Sequence, residues 1–381
     1  MKIINGLIHD GIHQEPYQAD ILIRNGIIAK IGTDLEDDAE VIDATGLNIY
    51  PGLIDAHCHL GVDGYAIGFE RDDTNEMGDI ICPQLRAIDG INPLDPCFEK
   101  ARKAGVTTVC TGPGSANVLG GTFVAIKTVG KRVDDMIIKE PVAMKCAFGE
   151  NPKRCYQDKG NSTRMTTAAN LRNMLFKAKD YLRRKESAKQ PSAMPAFDFK
   201  LEALIPVLKK EIPLKAHAHA ADDIFTAIRI AKEFDVNLTL EHVTEGHLIA
   251  EELVKEDLPM AIGPSFGHAT KFELKEKSFK TPGILADLGG QVSIITDSPV
   301  IPQEYLPLCA GLAIKSGMKP FDALKAITIN PAKHIGISDR VFSLEVGKDG
   351  DLVIVGGEIF AIDHEVKHVV LNGKEISDGN I

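Results

Sequence analysis

Two histidines one residue apart close the apolar run Pro51-Gly52-Leu53-Ile54-Asp55-Ala56-His57-Cys58-His59. On a β-strand, side chains alternate faces, so His57 and His59 point the same way. Two imidazoles held like that can share a first-row metal ion. Further ligand types recur along the chain, each after an apolar, strand-like run: Glu150, His217 or His219, His242 and Asp297. One His-x-His says little, but the series points to metal chemistry. Cys58 sits on the opposite face of the same run and is read as core packing.

Elements of one kind can place such a series. From residue 53 onward, strand-like runs (53–56, 106–110, 142–148, 214–218, 236–240, 260–262 and 292–296) alternate with helical ones. Asp95 can N-cap a helix that begins at Pro96, and residues 222–234 carry Ile224, Phe225, Ile228 and Ala231 on one face. Repeated strand–helix units predict an α/β fold with a parallel sheet, open or closed into a barrel. Both put functional residues at the C-terminal strand ends, where every ligand type above falls. The first fifty residues and the last forty read instead as short strands and turns, with Asn25-Gly26 and Asn372-Gly373 as hairpin signals. Two such sheets would be too small alone, so the expected division is 1–52 plus 338–381 as one composite β domain around a barrel of 53–337. Residues 155–195 are polar and basic and read as an exposed helical excursion.

Composition narrows the partners. The 381 residues are 44% hydrophobic and 25% charged, with a net charge of -11. That charge argues against nucleic acid and against an anionic membrane surface. No apolar run approaches the roughly 20 residues of a spanning helix, and the N-terminal Met1-Lys2-Ile3-Ile4-Asn5-Gly6 is not patterned as a signal peptide. The seven cysteines are odd in number and lack C-x-x-C spacing, which suits reduced thiols in a cytoplasm. A small-molecule substrate is the expected partner. Self-association is compatible with the sequence, which shows no interface.

The Pro-Gly-Leu-Ile-Asp-Ala-His-x-His segment after a β-rich start resembles the amidohydrolase superfamily. So do Leu240-Glu241-His242, Thr296-Asp297-Ser298, Asn330-Pro331-Ala332-Lys333 and Gly347-Lys348-Asp349-Gly350-Asp351-Leu352-Val353, in family order. The details are most similar to imidazolonepropionase-related and prolidase-like members. The resemblance implies a distorted (β/α)8 TIM barrel with a small composite β-sandwich domain from both termini. It implies one or two divalent metal ions, Zn2+ in the first instance, and hydrolysis of amide-like bonds by metal-bound hydroxide. Carried over, His57, His59, His217 and His242 are metal ligands, and His219 faces substrate. Asp297 touches the metal and serves as the catalytic proton acceptor. For the bridging ligand, relatives use either a carboxylated lysine or a glutamate; Lys145 and Glu150 compete here. Their odd separation allows only one to face the metal, and Glu150, at the strand's C-terminal end, is the expected ligand.

Softer expectations concern the surroundings. Asn151, Arg154 and His268 are candidates for substrate contact, and Lys153 and Arg154 could clamp a carboxylate. The Gly-rich segment 112–121 lacks a P-loop pattern and reads as a substrate-lining loop. Glu241 should face away from the metal by alternation. The expected activity is hydrolysis of a small cyclic amide or dipeptide; deamination and N-acetyl deacetylation are the alternatives. Many deaminases carry His-x-x-Glu after the fifth strand, and here His217 is followed by Ala218-His219-Ala220. A non-catalytic scaffold is the remaining class, disfavoured because every ligand position is filled.

Overall fold

A computed structural model describes residues 1–65, 68–341 and 343–376. Residues 342 and 377–381 of the expected terminal unit lie outside that set. The chain opens with β1 (Lys2–Ile8), β2 (Tyr17–Arg24), β3 (Ile27–Gly32), β4 (Val41–Asp43) and β5 (Asn48–Pro51). It then builds β6 (Leu53–Cys58), β7 (Val106–Thr111), β8 (Leu119–Lys127), β9 (Ile137–Ala147), β10 (Leu214–Ala218), β11 (Leu238–His242), β12 (Met260–Ile262) and β13 (Val292–Ile294). At the C-terminal end β14 (Leu352–Gly356), β15 (Glu365–Leu371) and β16 (Lys374–Glu375) return to the first sheet. That sheet runs β16-β15-β14-β5-β1-β2-β3, with β4 beside β1, so both termini contribute to it. Its hairpins turn at Asn25-Gly26 and Asn372-Gly373, all four residues at positive φ, as a tight primed turn requires.

The second sheet runs in chain order from β6 to β13 and is a nearly closed barrel. Its ends meet where His59 N–H donates to Ser298 O at 2.7 Å and Thr296 N–H to Asp55 Oδ2 at 3.0 Å. The distortion is local. β8 is antiparallel to both β7 and β9, because the connections 112–118 and 128–136 are too short for a parallel crossover. From β9 to β13 every pairing is parallel.

Helices cover the outside. Asp95 accepts from Cys97 N–H to cap Pro96–Lys103, whose Phe98 and Ala101 are buried. Ala221–Phe234 buries Ile224, Ala227, Ile228 and Ala231. The polar stretch expected to be an excursion is instead docked: Arg164–Ser187 places Ala168, Leu171, Leu175 and Ala178 in the core. Each buried leucine there is worth about 1.5–3 kcal/mol, enough to hold a helix whose other face is charged.

Candidate metal centre

His57, the penultimate residue of β6, is fully buried, and its backbone N–H donates to Asp55 Oδ1 at 3.0 Å. Asp55 is buried too, and its Oδ2 accepts from Thr296 N–H at 3.0 Å, Thr296 Oγ1–H at 2.6 Å and Gln303 Nε2–H at 2.7 Å. One carboxylate therefore ties the first histidine to the loop that carries Asp297. His59, His57 and Asp297 offer ligand atoms within 4.8 Å of one another, and so do His217, His219 and His242. His57 packs against His242 at 5.0 Å between ring centroids, so the two triads adjoin. Three imidazoles are oriented through Nδ1: His57 to Glu241 Oε2 at 3.0 Å, His59 to Gly112 O at 2.7 Å, His242 to Gly263 O at 2.8 Å. His219 Nδ1 meets Thr244 Oγ1 at 2.7 Å.

The electrostatics suit a cation. Burial is the leading cause that lowers the pKa of His57, His217, His219 and His242, the last to about 4, so each ring is neutral and offers a lone pair. Burial opposes ionisation of Asp297, but His242, His59 and His57 outweigh it and hold the carboxyl well below the usual range. Both ring nitrogens of His217, Nε2 of His242 and Oδ1 of Asp297 are buried without a hydrogen-bond partner. Such atoms are costly to leave unpaired. A donor set of imidazole nitrogens and carboxylate oxygen fits a divalent first-row ion.

Lys145 and Glu150 part company in space. Lys145, in register with Lys215 of β10, is fully buried, and its Nζ lies 3.2 Å from His57 Nε2. Burial lowers its pKa to about 8. Glu150, expected as the bridge, opens the helix Glu150–Cys155 beyond Gly149 and stands outside both triads. Its backbone N–H donates to Glu273 Oε2 at 2.9 Å, and the residue lines the cleft above the triads.

That cleft, about 540 Å³, has His59, His217, His219 and Asp297 on its floor and Ser115, Asn151, Arg154 and Lys271 on its walls. Asn151 Nδ2–H donates to Ser115 Oγ at 2.8 Å and Asn151 Oδ1 accepts from Lys271 Nζ at 3.0 Å. Gly114, Ser115 and Ala116 are the part of the Gly-rich segment that faces the cleft. His268 is exposed on the loop after β12 and is not among the residues lining the cleft.

Glu241 departs from expectation. It points into the barrel, fully buried, against His57. Alternation fails because His242 and Val243 take positive φ (75° and 47°), which swings His242 toward the triads from a strand already committed to an inward Glu241. Sequence reasoning also missed Lys215, Lys271 and Glu273. The first is a charged residue inside an otherwise apolar run, as is Glu241, and that is a legible sign of buried pairing. Lys271 and Glu273 sit in a loop without any such signal. Glu273 Oε1 lies 2.6 Å from Lys271 Nζ and 3.9 Å from His219 Nε2.

The family profile of the amidohydrolases matches residues 48–376, and the chain belongs to that family of metal-dependent hydrolases of carbon–nitrogen bonds. Across 99% of both chains it superposes on an amidohydrolase from Thermotoga maritima MSB8 with 41% identity and a TM-score of 0.95. It is 26% identical to imidazolonepropionase of Thermoplasma volcanium over 94% of this chain and 91% of that one. Amidohydrolase tasK of Hapsidospora irregularis is 28% identical over 88% of this chain, which spans 37% of that relative's length. No helix among the described residues is long and apolar enough to cross a membrane.

Proposed function

We propose that the protein hydrolyses a carbon–nitrogen bond of a small cyclic amide or dipeptide at this centre. The observation that carries the reading is the ring of buried, unpartnered ligand atoms at the floor of an open cleft. His57, His59, His217, His242 and Asp297 would hold the metal, zinc in our reading. We choose His217 over His219 because both of its nitrogens lack partners, whereas His219 is bonded to Thr244 and left to face substrate. Lys145 replaces Glu150 as the bridging group: its amine, carboxylated by carbon dioxide with release of a proton, would present two oxygens beside His57 Nε2. Glu150, Asn151 and Arg154 become cleft-wall contacts for substrate.

A bound divalent ion supplies Lewis acidity, polarising the scissile carbonyl and acidifying water. Asp297, ionised at neutral pH and open to the cleft, accepts the proton of the attacking water and returns it to the leaving nitrogen. His57, His59 and His242 are fixed through their Nδ1 bonds, so little reorganisation accompanies the charge change. Free thiols throughout the described cysteines support a cytoplasmic setting.

Deamination is the second reading, favoured by one observation. Glu273 puts a buried carboxylate beside His219, where the chain lacks a sequence-local one. The test is turnover by the metal-loaded protein of cyclic amides, dipeptides, N-acetyl compounds and aminated heterocycles. Ring opening or dipeptide cleavage is expected. Ammonia release from the heterocycles, with every amide untouched, would replace the proposal with deamination.

A further inference from the structure

Below the two triads lies a second buried polar cluster to which the reaction assigns no role. Glu241 Oε2 accepts from His57 Nδ1 at 3.0 Å and from Lys215 Nζ at 2.9 Å. Its Oε1 accepts from His334 Nε2 at 2.9 Å and from Thr239 Oγ1 at 2.7 Å. Lys215 Nζ also donates to Ala56 O at 3.0 Å, the carbonyl next to His57. Glu241, Lys215 and His57 are all buried, and His334 nearly so. Four strands or helices thus converge on one carboxylate: β6, β10, β11 and the helix Ile329–His334.

We propose that Glu241, with Lys215 as its counter-charge, is a positioning residue that keeps the His57 proton on Nδ1 and so turns the Nε2 lone pair to the metal and to Lys145. The proposal rests on the reading that His57 is a metal ligand. A neutral imidazole carries one proton, and the nitrogen that keeps it cannot ligate. A carboxylate on Nδ1 decides which nitrogen that is and raises the basicity of the other. An isolated carboxylate at this depth would be untenable, and Lys215 is what makes it tolerable. Lys215 acts twice, neutralising Glu241 and gripping the carbonyl just before His57. The sequence therefore places a charged residue in each of two apolar barrel strands, where packing alone would call for aliphatic side chains.

The proposal separates from a merely structural role because it fixes a tautomer. In the metal-free protein with 15N-labelled histidine, long-range 1H–15N correlation is expected to show His57 as the Nδ1–H form. The partner experiment removes the buried charges together, Glu241→Leu with Lys215→Met, so that neither is stranded. That variant should show mixed His57 tautomers, bind Zn2+ about 10–100-fold more weakly by chelator competition, and give an altered cobalt d–d spectrum. An Nε2–H form in the wild type overturns the proposal, and this reading needs no variant to fold. So do wild-type zinc affinity and an unchanged cobalt spectrum in the double variant. Absence of metal binding in the wild type alongside an Nδ1–H His57 would sink the function and leave the tautomer assignment standing.

Discussion

Asp297 concentrates the chemistry at the scale of one residue. Its carboxyl is held well below the usual range, it reaches within 3.2 Å of His59 Nε2, and it keeps 14% of its side chain open to the cleft. Asparagine has the same shape and can still offer an oxygen, but it cannot take a proton. Asp297→Asn should therefore retain metal while turnover falls about 10²–10⁴-fold. Steady-state kinetics beside elemental analysis checks this, and near-wild-type turnover would contradict it. That His57, His59, His217, His242 and Asp297 come together was legible because each follows an apolar run at a strand end. The bridging group was not, since alternation excludes one of Lys145 and Glu150 without saying which; the chain turns into a helix at Glu150 and leaves Lys145 Nζ beside His57 Nε2, which is why we propose Lys145. Glu241 was misread because φ at His242 is invisible in the residue order.

Turns between elements place the cleft walls. Gly149 joins β9 to the helix Glu150–Cys155 at φ +80°, and a Cβ there would lie 2.4 Å from Glu273 Oε2 and 3.1 Å from Asp223 Oδ2. Gly149→Ala is thus strained in backbone and in space, and should destabilise the protein by about 1–3 kcal/mol. Denaturant titration reads that loss, and an unchanged midpoint would show that the turn relaxes freely. It should also weaken substrate binding by moving Glu273 and, through it, Lys271. At this scale the alternation of strands and helices was readable from hydrophobic periodicity. The antiparallel β8 was not read, although the short connections on either side of it forbid a crossover. The docking of Arg164–Ser187 was hidden because its core stripe is diluted by charge.

For the molecule as a whole, the two sheets are coupled by buried charge. Lys127 of β8 pairs with Asp351, just before β14, and with Asp349 at 3.0 Å. Lys127→Met strands Asp351, while Asp349 keeps Arg340 at 3.0 Å, and should cost about 3–5 kcal/mol, read as a lowered thermal midpoint. A midpoint within a degree of wild type would show the sheets to be independent of this contact. The composite sheet itself was foreseeable from β-rich segments at both ends, but nothing in the sequence pairs Lys127 with Asp351. The buried histidines set the pH response of the metal-free protein. Their folded pKa values lie below the unfolded value of about 6.5, so the unfolded chain binds more protons as pH falls. Stability is present above about 6.5 and declines toward about 4, where His242 titrates. Stability that rises over that interval on acidification would contradict the neutral-histidine centre.

Metal content per chain, measured on wild type beside Lys145→Ala and Glu150→Ala, tests the centre most directly. Two divalent ions, or one, in the wild type should fall with Lys145→Ala and persist with Glu150→Ala. Loss with Glu150→Ala and retention with Lys145→Ala would contradict the centre described here.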